Sequence, residues 1–143
     1  MAIVYFDSSA LVKLVLDEPG SDLAAQLWNA CDTAVSSRLA HPEVCAALAA
    51  AGRNHDLTGG EVSDALEAWG DFWASMRLVE LSADIERAAG ELAVRHRLRG
   101  ADAVHLSSSL ALSSHAVTVA VWDERLHAGA VAAGLAVAPA ILD

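Results

Sequence analysis

The sequence predicts an α/β domain: a three-layer sandwich in which a central, mainly parallel sheet of four to five strands is flanked by helices. Three observations predict it. Short apolar runs with β-branched members alternate along the chain with longer alanine-rich segments of helical period, the order expected of repeated β-α units. Capping residues or Gly/Pro breakers stand at nearly every junction, so the elements are separate. No internal repeat or low-complexity linker interrupts the order. The chain's 143 residues suit one domain, residues 1–143, burying roughly two thirds of its unfolded surface.

Residues 2–6 form an apolar run with Ile3, Val4, Tyr5 and Phe6, read as a buried strand ending at Asp7. Ser8 or Ser9 is expected to cap a helix over residues 10–16, stopped at Glu18-Pro19-Gly20. Ser21 and Asp22 open a second helix to about Cys31, with Leu23, Leu27 and Trp28 on one face. Residues 34–37 make a second strand. His41-Pro42-Glu43 then opens a long alanine-rich helix, with Pro42 near the first helical position and Glu43 in the first turn. Thr58 caps a helix through Met76, on which Leu66, Trp69 and Trp73 form a stripe that core or interface packing explains better than a cofactor site. Residues 78–81 read as a short strand. Ser82 or Asp84 caps the next helix, which runs to about Leu98 and is expected to close at Gly100. A helix follows from Ala101 or Asp102 to about Leu112, then a strand over 116–122, a short helix beginning at Asp123 and Glu124, and a last strand over 135–138. The strand–helix alternation implies a parallel sheet covered on both faces.

Composition excludes several function classes. The stretch from Ala103 to Trp122 lacks Asp, Glu, Lys and Arg, yet it contains His105, His115 and five serines, and the tail from Ala128 to Leu142 is short and broken by Gly129, Gly134 and Pro139; neither reads as a membrane span. The first fifteen residues have no basic start and carry Asp7 inside the apolar run, unlike a secretory signal, so a cytoplasmic protein is expected. Cys31 and Cys45 are the only cysteines and suggest buried free thiols rather than a disulfide framework or a zinc site. A formal charge of −10, from nine Lys plus Arg against nineteen Asp plus Glu, argues against a broad electrostatic grip on nucleic acid. Local handling through metal ions stays open.

The candidate chemistry lies in four acids. Asp7 and Asp123 follow expected strands, and Glu43 and Asp102 lie in first turns of expected helices. In open parallel sheets all of these positions face the crevice beyond the strands' carboxyl ends. A lone Asp at a helix start is most often a cap. Four together in a partly dry crevice repel one another unless a cation or a proton offsets them, and helix dipoles soften that repulsion without removing it. Oxygen ligands suit Mg²⁺ or Mn²⁺, octahedral at about 2.1 Å. Two such ions roughly 3.5 to 4 Å apart can activate water and stabilise a leaving oxygen, which matches phosphodiester hydrolysis.

Asp7 is followed by SSALVKL, Glu43 stands in HPEV, Asp102 in GADAVHL and Asp123 in WDERL. In order and spacing over essentially the whole chain, these segments resemble the PIN domain family, and more narrowly the VapC-type toxins of bacterial toxin-antitoxin pairs. The resemblance implies a metal-dependent ribonuclease in which Asp7, Glu43, Asp102 and Asp123 match the family's acidic quartet, as catalytic residues and as ligands of Mg²⁺ or Mn²⁺. It implies RNA as substrate and a small VapB-type antitoxin whose C-terminal segment covers the crevice, often with a basic side chain. It also implies a homodimer or a toxin-antitoxin hetero-oligomer. Ser9 matches the small hydroxyl residue often found after the first Asp. Val121 departs from the pattern, since family members commonly carry Thr or Ser two residues before the last Asp; Ser8, Ser9 and Ser37 are candidates to replace that hydroxyl.

Arg95, Arg97 and Arg99, with Lys13 and Arg38, either guide phosphates toward the acids or form a solvated helix end. The six histidines show no ligand spacing; His105, three residues after Asp102, is the nearest candidate, and a structural role suits it better. No nucleophilic Ser or Cys motif is present. The alternative function is a catalytically weak PIN-like domain acting mainly as a protein- or RNA-binding partner, with the Leu66, Trp69 and Trp73 stripe and the helix surface near Leu11 and Leu14 as possible grooves. A phosphoacceptor receiver domain fits poorly, because Asp7 stands alone after the first strand and no lysine follows Lys13.

Overall fold

Each short apolar run becomes a parallel strand in the computed structural model, which describes residues 1–112 and 116–143; His115 lies outside them. The strands are β1 (Ile3–Phe6), β2 (Thr33–Ser37), β3 (Arg77–Val79), β4 (Val117–Ala120) and β5 (Ala136–Ala138). They lie in the order β3-β2-β1-β4-β5, all parallel, with Tyr5 opposite Val35 on one side and Val119 on the other. The helices are α1 (Ser8–Val15), α2 (Ser21–Ala30), α3 (Ala40–Arg53), α4 (Gly59–Ser75), α5 (Ala83–His96), α6 (Gly100–Leu110) and α7 (Glu124–Ala132).

Every side chain of β1 is buried, and alternate residues face opposite cores. Ile3 and Tyr5 join Val119, Leu92, Leu106 and Leu126 beneath α5, α6 and α7. Val4 and Phe6 join Leu11, Val44, Leu48 and Trp69 beneath α1, α3 and α4. Three layers follow. Of the stripe, Trp69 is part of this second core and Trp73 packs against it, in keeping with a packing role, whereas Leu66 is exposed. Helix α6 sits deepest: Ser107, Ser108 and Ser109 are all buried, and Ser107 Oγ donates to the Ile85 carbonyl at 2.9 Å, tying α6 to α5. Among the described residues no helix is long and apolar enough to cross a membrane.

Three boundary expectations need correction. Asp7, not Ser8 or Ser9, is the N-cap of α1, because its carboxylate already accepts the Ala10 N–H. Helix α5 ends at Arg97, which takes the left-handed conformation (φ 55°), and Gly100 instead opens α6. Helix α3 begins at Ala40, two residues before Pro42, and still leaves Glu43 in its first turn. Gly20 is required where it stands: its φ is 95°, and an added Cβ would lie 2.7 Å from the Trp122 indole nitrogen. Cys31 and Cys45 are free and half-buried rather than fully buried.

Candidate active site

The strand order reverses across β1, whose two neighbours β2 and β4 are reached by connections running in opposite directions. Such a switch point opens a crevice at the strands' carboxyl ends. Asp7 leaves β1 there and caps α1; Asp123 follows β4 by three residues and caps α7 through the Leu126 N–H, 2.9 Å. Asp102 is the third residue of α6 and Glu43 the fourth of α3. All four acids line one crevice of about 190 Å³, together with Ser8, Ser9 and Arg99. Residues up to 116 positions apart thus meet at one edge.

The acids differ in environment. Asp7 is 2% exposed and Asp102 7%, while the Glu43 and Asp123 side chains are 26% and 29% exposed. Burial pushes the Asp7 carboxyl up to about 6, against lowering contributions from nearby His105 and from the Ser9 hydroxyl. Ser9 Oγ donates to Asp7 Oδ1 at 2.6 Å, and the Ala10 N–H also reaches that oxygen. Ser9 Oγ in turn accepts the Trp122 N–H at 2.9 Å, so one hydroxyl links the start of α1 to the segment leading into Asp123. Val121 is wholly buried in the core, where a hydroxyl would need a partner. Of the three serines named as replacements, Ser9 makes this link, whereas Ser37 Oγ is occupied by the Leu39 N–H.

Arg99 bridges two acids, with Nε 2.9 Å from Asp102 Oδ2 and Nη2 3.2 Å from Asp123 Oδ1. The Asp102 hydrogen bond, with the charges of Asp102 and Asp123, raises its already high pKa further. Its companions lie elsewhere. Lys13 binds Glu18 and the Pro19 carbonyl, and Arg38 pairs with Glu80, so neither serves the acids as the sequence allowed. Arg95 and Arg97 are exposed on the α5 end, outside the crevice.

His105 does touch the site, contrary to the preference for a structural role alone. Its Nε2 lies 2.6 Å from Glu43 Oε1, and its Nδ1 lies 2.7 Å from the Tyr5 hydroxyl. Burial alone would lower the imidazole's pKa, but the Glu43 hydrogen bond and the charges of Asp7, Glu43 and Asp102 leave it raised. Tyr5 is fully buried, which pushes its phenol upward and keeps it protonated. A neutral Tyr5 can therefore donate to Nδ1 while Nε2–H donates to Glu43. The signal was the i, i+3 spacing of Asp102 and His105 on α6; its meaning depended on Tyr5, 100 positions away.

An α/β domain with four carboxylates converging at its switch point defines a class, and the chain belongs to that class's PIN domain family, whose model matches residues 4–130. Within the family its full-length likeness is to VapC proteins. It is 63% identical to Ribonuclease VapC49 of Mycobacterium tuberculosis strain H37Rv and to Ribonuclease VapC45 of strain CDC 1551, over 100% of this chain and 99% of each relative. The fold is similar to that of FitAB bound to an IR36 DNA fragment (TM-score 0.72, 16% identity, 98% of this chain and 97% of that one). It is also similar to Mycobacterium tuberculosis VapC20, a Sarcin-Ricin loop cleaving toxin (TM-score 0.66, 19% identity, 98% and 99% covered).

Proposed function

We propose that this chain is an endoribonuclease that hydrolyses RNA phosphodiester bonds with Mg²⁺ or Mn²⁺, acting as the toxin of a toxin-antitoxin pair. The convergence of Asp7, Glu43, Asp102 and Asp123 on one crevice carries the reading. The donor set is all oxygen, as hard divalent ions prefer. Arg99 already supplies positive charge between Asp102 and Asp123, which is what the acids lack in the bare protein. Among the described residues no group of three candidate ligands is preformed for an ion, so the acids would have to draw together around it and the Arg99 ion pairs to open. The Arg99 side chain is 63% exposed, so water can take the place of its two carboxylate partners. Full-length 63% identity to named VapC ribonucleases supports the activity and the toxin role.

When bound, such an ion supplies Lewis-acid chemistry, lowering the pKa of a water and neutralising a phosphate oxygen. Asp7, Asp102 and Asp123 would hold it, with Glu43 as the fourth acid. Ser9 fixes the rotation of Asp7. His105, held from behind by Tyr5, fixes Glu43 and shares its proton with that carboxylate. Arg99, paired with Asp102 and Asp123 in the bare protein, would offer its guanidinium to a substrate phosphate.

The test is cleavage of cellular RNA by the purified chain with Mg²⁺, with Mn²⁺ and with chelator, beside Asp7→Asn. Cutting that needs the ion and Asp7 is expected; equal cutting by every sample overturns the proposal. Expression alone is expected to arrest growth, and co-expression with the adjoining upstream reading frame to relieve the arrest through a complex. Persistent arrest with no complex counts against the toxin-antitoxin role.

A further inference from the structure

We propose that the cleft between the α5–α6 turn and α7 holds the RNA strand on one side of the cut, with Arg97 and Arg125 binding backbone phosphates. This rests on the ribonuclease reading and adds a direction to it. The cleft, about 570 Å³, is lined by His96, Arg97, Arg125, Ala128, Gly129 and Ala132. Its lining side chains are basic or small. Gly129 faces Leu98 of the α5–α6 turn, both of whose methyls a Cβ there would meet at 3.4 Å. Arg97 occupies the left-handed position closing α5, where glycine is the usual resident.

Charge distribution selects this flank. In a chain of net charge −10, Arg95, Arg97, Arg99 and Arg125 fall on two short segments, and Arg97 and Arg125 line one cleft. Lys13, Arg38, Arg87 and Arg99 all have carboxylate partners, whereas among the described residues Arg53, Arg77, Arg95, Arg97 and Arg125 have none, and of these five Arg97 and Arg125 line the cleft. Both are exposed. Arg97 is two residues from Arg99 and Arg125 two from Asp123, and two residues span at most about 7 Å, so both reach nucleotides adjoining the acids. The crevice's other neighbour repels a polyanion. A groove of about 950 Å³, sharing Val12 and Ala47 with the crevice, is lined by Asp17, Asp56, Glu61 and Asp64, by Glu18 in its pair with Lys13, and among the described residues by no Lys or Arg. A strand crossing the acids is held on the Arg97–Arg125 side and left loose on the other.

The test measures binding of a short labelled single-stranded RNA of mixed sequence to chains that all carry Asp7→Asn, across about 50 to 200 mM salt. Losing two phosphate contacts should reduce the slope of log affinity against log salt by about 1.4, at roughly 0.7 per contact for single strands. Arg97→Gln with Arg125→Gln is expected to show that loss, Arg97→Lys with Arg125→Lys to retain most of the slope, and Arg87→Ala to match the parent. Thermal unfolding checks that each variant folds. A glutamine pair with the parent's slope overturns the proposal. So does a pair that loses affinity for polyglutamate but not for RNA, which would give the cleft to an acidic protein. Residual RNA cutting on the Asp7→Asn background would count against the ribonuclease reading and leave this one standing on its own slope.

Discussion

Replacing Asp7 by Asn should stabilise the ion-free protein while abolishing its activity. Asp7 titrates at about 6 against an ordinary value of 3.8, a difference of 6 − 3.8, or about 2.2. At about 1.4 kcal/mol per unit this is roughly 3 kcal/mol. The sign follows from proton binding: the folded state holds the proton more tightly than the unfolded chain, so folding loses stability as pH rises from about 4 to about 6, and the full penalty is present above that window. Asparagine cannot ionise, so it escapes the penalty, and its amide oxygen can still accept from Ser9 and Ala10. In chelator at pH 8 the variant should melt roughly 6 to 12 °C above the parent, using 2 to 4 °C per kcal/mol for a domain near this size. Near pH 4 the two should coincide. Added Mg²⁺ should raise the parent's Tm and leave the variant's nearly unchanged, because only the carboxylate binds the ion well. Differential scanning calorimetry across pH 4 to 8, with and without chelator, reads all of this. A variant that melts below the parent at pH 8, or a gap that ignores pH, refutes the claim that Asp7 is a desolvated, frustrated carboxylate.

Other perturbations test its neighbours. His105→Ala should lower kcat by about 10- to 100-fold with KM little changed, as loss of a group orienting a site residue typically does, and His105→Gln should recover part of it; steady-state kinetics decide, and equal loss in both variants points to packing alone. Ser9→Ala removes a donor to Asp7 and the partner of the half-buried Trp122 N–H, costing about 1 to 3 kcal/mol in urea unfolding and lowering activity. Arg99→Gln should tighten ion binding measured by calorimetry, since Arg99 no longer competes for Asp102 and Asp123, while weakening RNA binding. Gly20→Ala should destabilise by more than about 1 kcal/mol through its positive φ and the clash with Trp122, and thermal unfolding would show it.

How far each part of the site was legible depends on the range of the forces involved. Alternating apolar runs and local caps act over a few residues, so the five strands, the capping of α4 by Thr58 and α5 by Ser82, and the parallel order could be read from neighbouring residues. Positions after strands and in first helical turns are likewise local, which is why Asp7, Glu43, Asp102 and Asp123 were readable as candidates before any contact was known. Their partners were not. Arg99 looked equivalent to Arg95 and Arg97 in sequence, and only the turn from α5 into α6 aims it at Asp102 and Asp123. Lys13 stands six residues after Asp7, yet nearly two turns of α1 carry it to Glu18 instead.

By itself the sequence determined the α/β class and which four acids face the sheet's carboxyl edge, because those follow from short-range pattern and strand direction, while the motifs around the acids carried the resemblance to the family. The tertiary structure decided that Tyr5 and His105 stand behind Glu43, that Ser9 links Asp7 to the Trp122 N–H, and that Arg97 and Arg125 line one cleft. Each of these joins side chains on different elements, and burial and hydrogen bonding between them exist only once the sheet has brought those elements together.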